Sequence, residues 1–240
     1  MKRLLPVAVL ASLALPSVAW ASHSWGSYHW ARQSNPFTLK LGDNMTTSAW
    51  KSRLARTSSD WSQSTVLDTT VVTGQAKGNC RPTSGRVEVC NGTYGYNGWL
   101  GLAQIWASAS HIAQGTTKMN DTYLNSTRYT DTNKQHVICQ EVGHTFGLDH
   151  QDESGADLNT CMDYSNALDN PTPNAHDYEQ LGTIYTHLDA STTIASATAS
   201  SDGGNGFGRR VSESLFVEDL GNGHKLYTWV VWASPFTMFF

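Results

Sequence analysis

The sequence predicts an α+β protein, and three observations carry the prediction. Short segments of alternating apolar and polar residues recur through the first half of the chain. Three longer segments, at 47–62, 132–146 and 174–188, read as helices. A Gly221-Asn222-Gly223 turn then separates two strand-like runs near the end.

Taken in order, residues 1–21 form a secretory signal. Lys2 and Arg3 precede an apolar stretch over 4–15, and the small-x-small site Ala19-Trp20-Ala21 places cleavage before Ser22. The stretch is too short for a membrane anchor, so the expected address is extracellular. Residues 22–189 are expected to form one domain, and 190–240 a Ser/Thr/Ala/Gly-rich linker followed by a C-terminal β-hairpin over 209–234. The net charge of −4, without a basic block, argues against nucleic acid and membrane as partners. Only 15% of residues are charged, against nine Trp and nine Tyr, so polarity comes from hydroxyls and amides rather than ion pairs. Aromatic and aliphatic residues throughout exclude disorder as the general state.

Residues 36–42 alternate as a strand. Residues 47–62 place Trp50, Leu54 and Trp61 on one helical face. Strands follow at 65–73 and 86–90, then a hairpin over 99–119 with an apolar first strand, 99–106. Thr130 or Asp131 can cap the helix over 132–146, which ends at Gly147. A polar loop covers 149–172, and Pro171 and Pro173 precede the helix over 174–188.

The four cysteines, Cys80, Cys90, Cys139 and Cys161, suit an oxidising compartment. They allow three pairings, among which the sequence does not choose; the short loop containing Pro82 and Gly85 favours Cys80–Cys90, which leaves Cys139–Cys161.

The chemistry is concentrated in Gln140-Glu141-Val142-Gly143-His144-Thr145-Phe146-Gly147-Leu148-Asp149-His150. On a helix Gln140 and His144 share a face, and Glu141 lies one step round. Gly147 lets the chain turn with positive φ and bring His150 back to the same point. Two imidazoles and a third donor around an open position describe a catalytic zinc site.

These residues resemble the long motif of the metzincin zinc peptidases, H-E-x-x-H-x-x-G-x-x-H followed by a methionine turn. The match is at Glu141, His144, Gly147 and His150, with Met162 at the turn. Met162-x-Tyr164 resembles the turn of the astacin and serralysin branches, and the order of elements over about 25–189 resembles a matrixin catalytic domain. Gln140 stands where the family has its first histidine. Its amide oxygen is a harder and weaker zinc donor than imidazole.

The resemblance implies a mixed, twisted β-sheet packed with long helices, the active-site helix being 132–146. It implies one catalytic Zn2+ on Gln140, His144 and His150, with Glu141 as general base and Tyr164 stabilising the oxyanion. The implied activity is hydrolysis of a protein or peptide substrate by a secreted monomer. The alternative is a catalytically inactive binding module of the same fold.

Other features read more plainly. His23 and His29 are expected to pack near Trp25 and Trp30, and His136 to sit beside the site. His111 and His176 have no spacing that pairs them. The acidic loop Asp149, Asp152, Glu153 and Asp157 matches no defined calcium loop, and a structural Ca2+ there is the lesser expectation. Sequons at Asn44, Asn91, Asn120 and Asn125 matter only in a eukaryotic secretory pathway. The C-terminal hairpin, ending in Phe236, Phe239 and Phe240, is the candidate source of any latency.

Overall fold

The computed structural model describes residues 23–76, 78–164, 167–195 and 207–233. The signal segment 1–21, most of the expected linker and the three terminal phenylalanines lie outside the described residues.

One mixed sheet dominates. Its strands are β1 (His29–Trp30), β2 (Phe37–Asn44), β3 (Leu67–Thr73), β4 (Val87–Gly92), β5 (Trp99–Ser108), β6 (His111–Asn120), β7 (Arg209–Arg210), β8 (Leu215–Gly221) and β9 (His224–Trp232). They lie in the order β3-β2-β4-β6-β5-β9-β8-β7, with β1 paired to the start of β6. The pairs β2–β3, β2–β4, β4–β6 and β1–β6 are parallel. From β6 through β5, β9, β8 and β7 every pair is antiparallel. The C-terminal hairpin is therefore woven into the main sheet, with β9 hydrogen-bonded along β5 from Trp99↔Trp232 to Ser108↔His224.

The helices are α1 (Ser48–Trp61), α2 (Asp121–Leu124), α3 (Asp131–His144) and α4 (Ala175–Ile184). The expectation of long helices is corrected: the longest, α1 and α3, have 14 residues each, and the sheet is the larger element. The helix expected over 132–146 stops at His144, and Thr145–Gly147 form a turn in which the Gly147 N–H bonds to His144 O. The helix expected over 174–188 stops at Ile184. After α3 the buried pattern runs on through Thr145 and Phe146 in a turn, whereas after α4 only Tyr185 stays buried and Leu188 is exposed. Thr130 caps α3 in a reciprocal box with Asn133, and Asn174 caps α4 in the same way with Asp177. The short α2 has no counterpart in the sequence reading.

Helix α1 packs its Trp50, Leu54 and Trp61 face inward. The Trp61 indole N–H bonds to Cys139 O, 3.1 Å away. Helix α3 passes so close to this indole that a Cβ on Gly143 would lie 2.6 Å from Trp61 Cζ2 and 2.5 Å from Met162 Sδ. Only glycine fits there, and it lets Met162 pack directly against the helix one residue before His144. The disulfides are Cys80–Cys90 and Cys139–Cys161. The second ties α3 to the turn carrying Met162, closing a loop that contributes about 3 kcal/mol through the unfolded state. No helix among the described residues is long and apolar enough to cross a membrane.

Candidate metal centre

The residues singled out by the motif come together between α3, the loop after it and the C-terminal hairpin. His144, the last residue of α3, has Nδ1 2.9 Å from Leu148 O. A carbonyl only accepts, so Nδ1 carries the hydrogen and Nε2 presents its lone pair. Gly147 makes the turn possible: its φ is +95°, and a Cβ there would strike Tyr28 O. The chain then returns to set the His150 ring edge-on to His144, with centroids 4.7 Å apart. His150 Nδ1 lies 3.2 Å from Ser214 Oγ. Neither His144 Nε2 nor His150 Nε2 has a hydrogen-bond partner, although both rings are buried.

Gln140 is buried one turn before His144 and donates its amide N–H to Asp163 O at 2.7 Å. That bond fixes the amide orientation and leaves Oε1 as the atom available for a cation. Tyr164 tilts over His150 with ring centroids 4.9 Å apart. Its phenol is pushed above its usual range by burial and by Glu213 and Glu153, so it remains an O–H donor at neutral pH. Gln140 and Tyr164 border a pocket of about 510 Å³ with Tyr129, Leu100, Val231 and Trp232.

Glu141 is fully buried, and neither carboxylate oxygen has a hydrogen-bonding side chain or solvent beside it. It lies against β5 so closely that a Cβ on Gly101 would collide with Oε1. Burial pushes its carboxyl well above the ordinary value, opposed only by the backbone of Val231. Burial also pushes His144 well below its ordinary value, and His150 adds to the effect. Two buried imidazole Nε2 atoms without partners, on rings 4.7 Å apart, are what a cation would satisfy, so this histidine pair fits a divalent metal.

The sequence reading missed three further contributors. Trp229, on β9, stacks flat on His144 at 5.1 Å with a 9° interplanar angle, and its N–H reaches Asp149 Oδ1 at 3.3 Å. Ser214, on the turn before β8, meets His150. Asp163 supplies the carbonyl that orients Gln140. Only Asp163, beside Met162, had a local signal. The hairpin residues come from more than 60 positions away.

The carboxylates of the acidic loop accept hydrogen bonds both within the loop and from the C-terminal hairpin. Asp152 accepts from Ser154, Asp157 from Asn159 and Asn170, and Glu153 from Ser212 and Ser214.

His136 lies on α3 one turn before Gln140, wholly buried. Burial lowers its imidazole from 6.5 to about 4. The folded state holds it neutral, so its contribution is complete above the unfolded value and is lost as pH falls from about 6.5 to about 4. Over that window it costs up to about 3 kcal/mol. Glu141 works in the opposite sense, so a comparison isolates the histidine. In metal-free chain, His136→Gln is expected to lose less urea stability than the parent between pH 6.5 and 4; equal losses would contradict this.

No family model matches the chain, and no curated protein matches it. Among solved structures, two of myroilysin are similar to it. One is 13% identical with a TM-score of 0.38, covering 65% of this chain and 96% of that one. The other is 12% identical with the same TM-score, covering 72% and 98%.

Proposed function

We propose that this chain is a metal-dependent peptidase, folded here with its own C-terminal hairpin closing the centre. One observation carries the reading: the His144 and His150 rings are buried 4.7 Å apart with neither Nε2 partnered, on residues that with Glu141 are spaced as in a zinc peptidase. His144 and His150 would hold the ion, with Gln140 Oε1 as the third donor. A bound zinc ion would supply Lewis acidity, a water acidified towards neutrality and a positive charge favouring ionised Glu141.

The chain's own groups do the rest. Glu141 receives the proton of the attacking water and delivers it to the leaving amine as the peptide C–N bond breaks. Tyr164 donates its O–H to the charge developing on the carbonyl oxygen. Met162 packs beneath Gly143 and holds the end of α3 in place. The two disulfides support an oxidising, extracellular setting, as the signal sequence does.

The closure follows from the sheet. A peptide substrate commonly binds as an added strand on an open edge. Strand β5, which lies over Glu141, has β6 on one side and β9 on the other, so no edge is free. The burial of both imidazoles and the occupied edges of β5 also favour a second reading, a catalytically inactive binding module.

Dialysis against a chelator, followed by Zn2+, separates the two. Chelation is expected to abolish casein cleavage and zinc to restore it. Gln140→His is expected to hold zinc about tenfold more tightly, since imidazole replaces an amide oxygen. Cleavage indifferent to chelator, or zinc retention unchanged in Gln140→His, would overturn the peptidase reading.

A further inference from the structure

A separate cluster forms where the chain's two ends of the domain meet. Strands β1 and β6 pair with His29 opposite His111. The segment after α4 returns to this place, the Asp189 N–H bonding to Arg32 O and the Thr193 N–H to Ala31 O. Asp189 Oδ1 then lies 3.3 Å from His29 Nε2 and 3.2 Å from His111 Nε2. His187 Nε2 lies 3.2 Å from His29 Nε2 and 3.5 Å from Asp189 Oδ1. The His29 ring meets those of His111 and His187 edge-on, at 86° and 83°, so the nitrogens converge instead of stacking.

Counting hydrogens shows what is missing. His29 Nδ1 is 2.7 Å from Ser27 O, so it carries the hydrogen, and the neutral ring offers a lone pair at Nε2. That lone pair faces a carboxylate oxygen and a second imidazole. The Asp189 carboxylate is ion-paired with Arg32, whose Nη1 lies 3.1 Å from Oδ2. His111 and His187 can each donate from Nε2 into one of these pairs, but the His29 Nε2 lone pair still faces the Asp189 carboxylate oxygen at 3.3 Å. A cation satisfies them together.

The spacing and the surroundings agree. A tetrahedral zinc site with bonds near 2.0–2.1 Å has donors about 3.3–3.4 Å apart. Four of the six distances among these donors run from 3.2 to 3.5 Å, and His29, His111 and Asp189 all lie within 4.8 Å of one another, with His187 joining them from the solvent side. Asp189 Oδ2 is held by Arg32 through its backbone N and Nη1, both at 3.1 Å, which turns Oδ1 towards the histidines. Arg32 is itself buried, 4.8 Å over the Tyr185 ring. His29 and Asp189 are buried, whereas His187 is 56% exposed, which leaves an ion a path from solvent.

We propose that His29, His111, His187 and Asp189 bind a divalent ion, zinc or a neighbouring late first-row metal, which clasps the N-terminal strand to the segment after α4. Imidazole donors exclude calcium and magnesium as preferred occupants. None of these residues belongs to the centre at His144, so the two sites can be emptied independently.

The test uses the full chain carrying His144→Ala and His150→Ala, titrated with ZnCl2 by calorimetry. It is expected to take up about one zinc ion and to gain several degrees in Tm as zinc is added. Co2+ in the same chain is expected to give the strong visible absorption of four-coordinate cobalt. Adding His29→Ala and His111→Ala is expected to remove binding, the Tm gain and the cobalt spectrum. His187→Ala, at an exposed position, keeps the test sound if that variant folds poorly. It is expected to weaken zinc at least about tenfold while leaving the zinc-free Tm unchanged. No zinc uptake by the starting chain, or uptake undiminished by His187→Ala, would overturn the assignment. A failure of the peptidase reading would leave these results as they stand.

Discussion

Glu141→Gln is expected to reduce peptide cleavage by about a thousandfold, the scale of a lost general acid–base group, while making the metal-free chain more stable at neutral pH. Both effects follow from one environment. The parent carboxyl is fully buried, with only the Val231 backbone beside it to favour the ionised form, and its folded value is raised well above 4.5. A raised value means stability that is complete below about pH 4.5 and is lost as pH rises towards the folded value. In the unfolded chain the same group ionises freely at pH 7. The neutral amide escapes that penalty, so the variant should gain about 1–3 kcal/mol at pH 7 and nothing at pH 4. Urea unfolding in chelator at the two pH values reads the difference directly. Equal stability at both pH values, or cleavage surviving the change, would contradict the role given to Glu141.

The second large effect is expected at Trp229. Its indole covers His144, and its strand holds the edge of β5 that a substrate would need. Trp229→Ala should cost about 3–5 kcal/mol, as large core truncations do, and should raise cleavage at least tenfold by loosening β9. Val71→Ala, at a position 38% exposed on the far edge strand β3, is the control and should change either quantity little. Loss of stability without any gain in cleavage would show that the hairpin is structural support and not a closure.

Much of this architecture was legible because its signals are local. The Thr130 cap, the apolar face of α1, the alternation in β2 and the Gly221-Asn222-Gly223 turn each depend on residues a few positions apart. The approach of His150 to His144 was legible for the same reason: one glycine turn after the helix brings the two rings within 4.7 Å, with Gln140 one turn earlier on the helix. What escaped was every decision made between distant segments. The turn announces a hairpin but does not say which edge the hairpin joins, so the partnership of β9 with β5 was invisible. A trace of it exists in β5, where nine of ten residues are buried, a density unlike a strand with one open side. The histidine cluster was hidden more deeply. His29 and Asp189 are 160 residues apart, and His111 falls between them, so no spacing rule connects them. His29 read as ordinary packing, and His111 as unpaired, because their common partner is supplied by the return of the chain after α4.

The shortening of α3 and α4 has a related cause. Thr145 and Phe146 continue the apolar pattern of α3, yet Gly147 must adopt positive φ beneath Tyr28, and the hydrogen bonds tighten into a turn before it. Periodicity reports which residues face the core. It does not report where backbone hydrogen bonding changes type.

The most direct test of a peptidase centre closed by its own hairpin is zinc-dependent peptide hydrolysis by the Trp229→Ala chain, set beside the same chain carrying Glu141→Gln. The expected result is cleavage in the first that disappears with chelator and returns with Zn2+, and about a thousandfold less in the second at unchanged zinc content. Equal hydrolysis by the two chains, or none by either with zinc bound, would contradict it.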